Sequence, residues 1–143
     1  MLGKILTISK NGCSVEINKE IMDPPDLINI HVIFEDHNQK ILGEVESIEA
    51  DTAKISFLGE LTENDFIGGL IKKPSLAAKV RIINNDELMI LTGGEEKSIN
   101  LGVSPLYNEF PLNVKIDNFF SNHSAIFGNT GSGKTYGICR VIQ

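Results

Sequence analysis

Residues 128–135 read Gly-Asn-Thr-Gly-Ser-Gly-Lys-Thr. They fit G-x-x-x-x-G-K-[ST], the spacing of a phosphate-binding loop. Each position has a physical task. The glycines let the backbone curl so that consecutive N–H groups face inward and form a nest for phosphate oxygens. A helix opening at the end of the loop aims the positive end of its dipole at the same anion. The Lys134 ammonium is expected to reach the β- and γ-phosphates. The Thr135 hydroxyl is expected to ligate Mg2+, a hard ion that prefers oxygen. The cofactors expected are therefore ATP and Mg2+. The expected binding residues are Gly128, Asn129, Thr130, Gly131, Ser132, Gly133, Lys134 and Thr135. Tyr136 joins them as a residue placed near a base or a neighbouring subunit, with packing on a sheet as the alternative.

Binding is not yet hydrolysis. A hydrolysing site also needs a carboxylate on a neighbouring strand and often an arginine finger. Eight residues follow Thr135, and neither group is expected among them, so no catalytic residue is assigned within residues 1–143. The upstream carboxylates Glu44, Glu46 and Glu49 sit in a different kind of segment. The other reactive types give little. His31 and His37 lie in or beside a strand without a second ligand at metal spacing and read as partly solvated. His123 stands just ahead of the loop, where it either braces the loop or faces solvent. Cys13 and Cys139 are far apart, lack CxxC spacing and read as two reduced thiols. Asn122-His123-Ser124 matches a glycosylation sequon, which carries no information in a cytosolic chain.

A phosphate loop needs a strand before it and a helix after it. Ser124–Phe127 is short and apolar, as a buried parallel strand is, and a helix is expected from Lys134. Upstream the text is different. Lys4–Ser9 and Cys13–Ile17 flank Lys10-Asn11-Gly12, a hairpin signal in which Asn and Gly tolerate positive φ. Further strands are expected at Ile28–Phe34, Ile41–Ile48 and Lys54–Leu58, with polar turns at Glu35–Lys40 and Glu49–Thr52. Thr62-Glu63-Asn64-Asp65 resembles a helix cap, but Gly68-Gly69 soon ends any helix. Lys79–Ile83 and Glu87–Leu91 read as a hairpin around Asn84-Asn85-Asp86. Gly93-Gly94 turns the chain, and Lys97–Leu101 makes another strand. Ser104 to Pro111 reads as a linker, and Leu112–Ile116 as one more strand. Seven or eight short strands with little helical periodicity point to a small β-barrel, because closure removes exposed edges; an open sandwich is the structural alternative. The expected fold is mainly β: a barrel over residues 1–105, then the start of an α/β ATPase domain over 106–143.

The charge balance bears on partners. The chain carries a net charge of −6 with 41% hydrophobic residues. Duplex DNA repels such a surface, because nonspecific affinity comes from neutralising phosphates. The basic clusters Lys72-Lys73 and Lys79…Arg81 are short and read as solvated faces. No apolar run approaches the ~18–20 residues that span a membrane, and the N-terminus lacks the longer apolar region and cleavage site of a signal peptide. A cytoplasmic protein without a membrane partner is expected.

A strand-rich domain followed by "PLNVKIDNFFSNHSAIFGNTGSGKTY" resembles the HerA family of hexameric ATPases, related to FtsK. In that family an N-terminal HAS-barrel precedes a RecA-like motor. Pro111-Leu112-Asn113-Val114, then His123, an apolar strand and the loop Gly128–Thr135, follow the family's order. "KILGEVESIEADTAKISFLGEL" and "KKPSLAAKVRI" resemble the barrel's central strands and its Pro-marked crossover. The resemblance implies a homo-oligomer, a hexamer, with ATP between subunits. It implies DNA handled by the motor part, which would lie beyond Gln143, and a protein effector, a nuclease or an NADase, docked on the barrel. The alternative is a barrel that serves as assembly and docking module of another P-loop ATPase, of conjugation or rotary type, without DNA translocation.

Overall fold

The Asn11-Gly12 hairpin forms, by a route other than positive φ. In the computed structural model β1 (Gly3–Ile8) and β2 (Gly12–Ile17) pair antiparallel. Ser9 closes the turn: its amide donates to the Gly12 carbonyl at 2.8 Å, and the Gly12 amide donates to the Ser9 hydroxyl at 3.2 Å. Neither Asn11 nor Gly12 takes a left-handed φ. Glycine is required at 12 for closeness, since a Cβ there would run into the Ile55 carbonyl of the neighbouring strand.

The structure describes residues 1–18, 27–93, 97–107, 110–121, 123 and 125–142. Gly94, Asn122, Ser124 and Gln143, named above, lie outside them. The chain divides into two units, Met1–Ile90 and Leu91–Gln143.

The first unit adds β3 (His31–Asp36), β4 (Gln39–Glu49), β5 (Thr52–Leu61), β6 (Phe66–Gly68) and β7 (Lys79–Ile82). The sheet runs β2-β1-β7-β3-β4-β5-β6, and β2 also pairs with β5. That last pairing closes six strands into a barrel and leaves β6 as an appendage on β5. Every ladder is antiparallel. Alternation sends Ile5, Val15, Val32, Phe34, Ile41, Val45, Ile55 and Val80 inward, where they form the core. Phe34 meets Phe57 edge to face with ring centroids 5.4 Å apart, the arrangement that ring quadrupoles favour. The turns are tight. His37 and Ala50, at φ +54° and +53°, sit in the β3–β4 and β4–β5 connections. The seam between β1 and β7 is the thinnest, with the single register pair Gly3↔Val80 and the Leu2 amide donating to the Val80 carbonyl at 2.7 Å.

Three readings change in this unit. β3 starts at His31, not Ile28, because Asn29 turns left-handed at φ +68° and breaks the extended chain. Thr62–Asp65 does not start a helix. The Thr62 hydroxyl donates to the Asp65 carbonyl and accepts from the Asp65 amide, making a turn into β6. Asn85–Thr92 is a helix, α1, rather than the second strand of a hairpin. The Asn84 side-chain oxygen accepts the Glu87 amide at 2.9 Å, and the Glu87 carboxylate accepts the Asn84 amide at 3.3 Å. This reciprocal cap satisfies two otherwise orphaned donors.

The second unit holds β8 (Ser98–Ser104), β9 (Phe110–Lys115), α2 (Ile116–Phe120) and α3 (Lys134–Ile142). β8 and β9 pair antiparallel, with Ser104 opposite Phe110. The stretch read as a linker is therefore the connection of this hairpin. Ala125–Phe127, the described part of the expected buried strand, is not a strand, and Phe127 is 91% exposed. A parallel strand is made by its neighbours' hydrogen bonds, and among the described residues none pairs with it.

Candidate functional site

The phosphate loop closes on its own lysine. Gly131 and Gly133 take φ of +84° and +82°, values that a side chain makes costly. A Cβ at either would meet no atom within 4 Å, so conformation rather than crowding demands glycine there. The Ser132 amide donates to the Asn129 carbonyl at 3.1 Å, which tightens the middle of the loop. α3 begins at Lys134, and its first complete bond runs from the Gly137 amide to the Gly133 carbonyl at 2.8 Å. The Lys134 ammonium folds back and donates to the Gly128 and Asn129 carbonyls, each at 2.6 Å. Its charge thus lies at the centre of the curl.

This arrangement fits an anion. The first turn of α3 contains no acidic residue, so nothing local cancels the positive end of the helix dipole. The lysine's present partners are neutral carbonyls, and a phosphate oxygen would add the attraction of a full opposite charge to the hydrogen bond. Thr135 stands in the first helical turn and is exposed, as a hydroxyl that ligates a metal must be. Tyr136 is exposed, and no packing on a sheet is seen among the described residues. His123 is exposed as well. Among the described residues no group of three or more His, Cys, Asp or Glu side chains could hold a metal ion.

The first unit carries an ion cluster that the sequence reading missed. Arg81 donates to Glu35 at 2.8 Å and to both Glu87 oxygens at 2.7 Å, while Lys40 donates to Glu87 at 2.9 Å. Arg81 is therefore not part of a solvated face. The signal was present in Asn84-x-x-Glu87, a cap pattern hidden by apolar residues that also suit a strand. Burial opposes the Glu87 charge, and it is the largest single influence. The bonds from Arg81, Lys40 and the Asn84 amide together outweigh it and hold the carboxyl at about 2. The same cluster pins the start of α1 to the outer faces of β4 and β7. Ile33 and Leu42 point outward on this side, yet both are buried.

The remaining titratable groups are quieter. Burial pushes the Cys13 thiol up to about 12, whereas Cys139 is exposed. His31 is half-buried, and desolvation lowers its pKa against the pull of Glu44. His37 is exposed and contacts Asp36 at 2.7 Å. Among the described residues no helix is long and apolar enough to cross a membrane.

No curated protein matches the chain. Residues 99–143 match the family model described as helicase HerA, central domain. That stretch contains β9, the whole phosphate loop and α3, and a closed six-stranded barrel stands ahead of it. This segment, under a third of the chain, is thus similar to the central domain of helicase HerA.

Proposed function

We propose that the chain is the N-terminal part of a hexameric, ATP-driven DNA translocase or helicase of HerA type. In this reading its barrel docks a protein effector such as a nuclease or an NADase. The observation that carries the reading is a phosphate loop with left-handed Gly131 and Gly133 and an inward Lys134, lying inside the segment that matches the HerA central domain. Bound Mg-ATP supplies the phosphoryl group whose transfer to water drives such a motor. The chain's own residues bind and orient it. Amides of residues 129–134 and the N-terminus of α3 hold phosphate oxygens, Lys134 neutralises the outer phosphates, and Thr135 supplies an oxygen to the metal. A barrel in a chain of net charge −6 favours a protein over a phosphate backbone as its partner. The same charge favours a second reading, in which the barrel is an assembly and docking module of another P-loop ATPase that does not move on DNA.

The test is Lys134→Ala in the full-length protein. DNA-stimulated ATP turnover is expected to fall at least ~100-fold, because the variant removes a charge aimed at the transferring group. The barrel's thermal unfolding should be unchanged. Near-normal turnover would remove this loop from the nucleotide site. ATP turnover that ignores DNA, but still needs Lys134, would favour the second reading.

A further inference from the structure

Two complementary patches lie side by side on the barrel. The first is a cleft of about 600 Å³ whose lining includes Leu61, Ile90, Glu60, Glu63 and Asp86. Lys40 and Glu87 also line it, but they bind each other, so the rim is left acidic. The second patch is a knob in the crossover from β6 to β7. Leu70 packs against the core and Pro74 is buried, which pins both ends. Between them Ile71 is fully exposed, followed by exposed Lys72 and Lys73. The crossover is held by Gly69 to the Leu58 carbonyl at 2.9 Å, by Lys73 to the Ser9 carbonyl at 2.9 Å, and by the Ser75 amide to Asp36 at 2.7 Å. Because the segment is already held in place, Ile71 and its flanking lysines would lose little conformational freedom on making a contact.

Gln39 fixes the spacing. Its amide nitrogen donates to Glu60 on the cleft at 3.2 Å and to the Lys72 carbonyl on the knob at 3.3 Å. Adjacent patches of opposite charge and matching polarity are what a twofold contact uses, because one axis between them makes both contacts at once. We propose that two copies of this chain pair through this face. Each Ile71 sits over the other copy's half-buried Ile90 at the edge of the cleft, and each Lys72 faces the other copy's Glu60 and Glu63. The pairing does not depend on the phosphate loop or on nucleotide. It is small, so its Kd is expected between about 10 μM and 1 mM, and it weakens with salt because the charges are solvent-exposed.

Sedimentation of chain 1–143 from about 10 μM to 1 mM, at low and high salt, tests this. A reversible, salt-weakened dimer is expected. Lys72→Glu and Glu63→Lys should each weaken it at least ~10-fold. Both positions are exposed, so circular dichroism should show the fold intact. An equimolar mixture of the two variants should recover much of the pairing, since both contacts between positions 72 and 63 are then between opposite charges and only Glu60 still opposes the new carboxylate. Lys134→Ala should pair like the parent, which separates this inference from the nucleotide reading. A chain that stays monomeric at about 1 mM, variants that pair like the parent, or a mixture that fails to recover would each overturn the proposal.

Discussion

Glu87 is where opposing terms on one side chain can be weighed. Its carboxylate is almost fully buried, which disfavours charge, yet four hydrogen bonds from Arg81, Lys40 and the Asn84 amide keep it ionised. Replacing it with Ala leaves the partly buried Arg81 without its main partner. This should cost about 2–4 kcal/mol in denaturant unfolding. The pH dependence follows from the direction of the shift. The folded carboxyl sits at about 2 against an ordinary 4.5, so the unfolded chain takes up the proton first as pH falls. The stabilisation is whole above about 4.5 and is lost as pH falls through about 2, a loss on the order of 3 kcal/mol. Glu87→Gln should flatten the stability profile in that window; a profile identical to the parent's would remove Glu87 from the account. The thiols offer a second measurement. Cys13 is buried and held protonated, while Cys139 is exposed. A thiol reagent at pH 8 should label one cysteine rapidly and the other only on unfolding. Two fast thiols would mean that β2 does not bury its inner face.

At the scale of elements, the hairpins were legible because their signals are local. Asn11-Gly12 and Ala50-Asp51 are polar or small breaks between alternating runs, and both turn where expected. Closure into a barrel was legible only as an economy argument. The pairing of β2 with β5, residues roughly forty apart in the chain, has no local signature. α1 was misread because Leu88, Met89, Ile90 and Leu91 look like a strand, and the choice was made by a cap at Asn84 and an anchor at Arg81. The conformation of the loop Gly128–Thr135 was legible from spacing, since Gly131 and Gly133 take the left-handed φ that glycine permits and Lys134 opens α3. The strand before it was not, because apolarity at Ile126 and Phe127 states a preference for burial without supplying a neighbour. The cap makes the element-scale prediction. Asn84→Ala should cost about 1 kcal/mol or slightly more, because it also loosens the Glu87 amide. Asn84→Ser should recover most of it, being another good cap. Equal loss in both variants, measured by urea midpoint at constant m-value, would assign Asn84 a packing role instead.

At the scale of the whole molecule, the two units carry different chemistry, and this makes their separation the informative experiment. The barrel closes on itself with its own core, and its exposed features are an acidic cleft and a basic, apolar knob. The second unit presents the phosphate loop and α3, all of whose described residues are at least partly exposed. Nothing among residues 1–143 is assigned the roles of water-positioning carboxylate or arginine finger. The chain is therefore expected to bind Mg-ATP without turning it over, and a turnover of about 1 s⁻¹ or more would sink that assignment. Docking is then a question for the full-length protein. Removing Met1–Ile90, the first unit, should abolish capture of an effector and any twofold pairing through Ile71, while the motor still forms its ring. Loss of the ring itself would make the barrel a closure element. Capture that survives the deletion would place docking on the motor. The isolated barrel should show little affinity for duplex DNA, because a chain of net charge −6 gains nothing from displacing counterions; tight binding with a steep salt slope would reverse the docking argument.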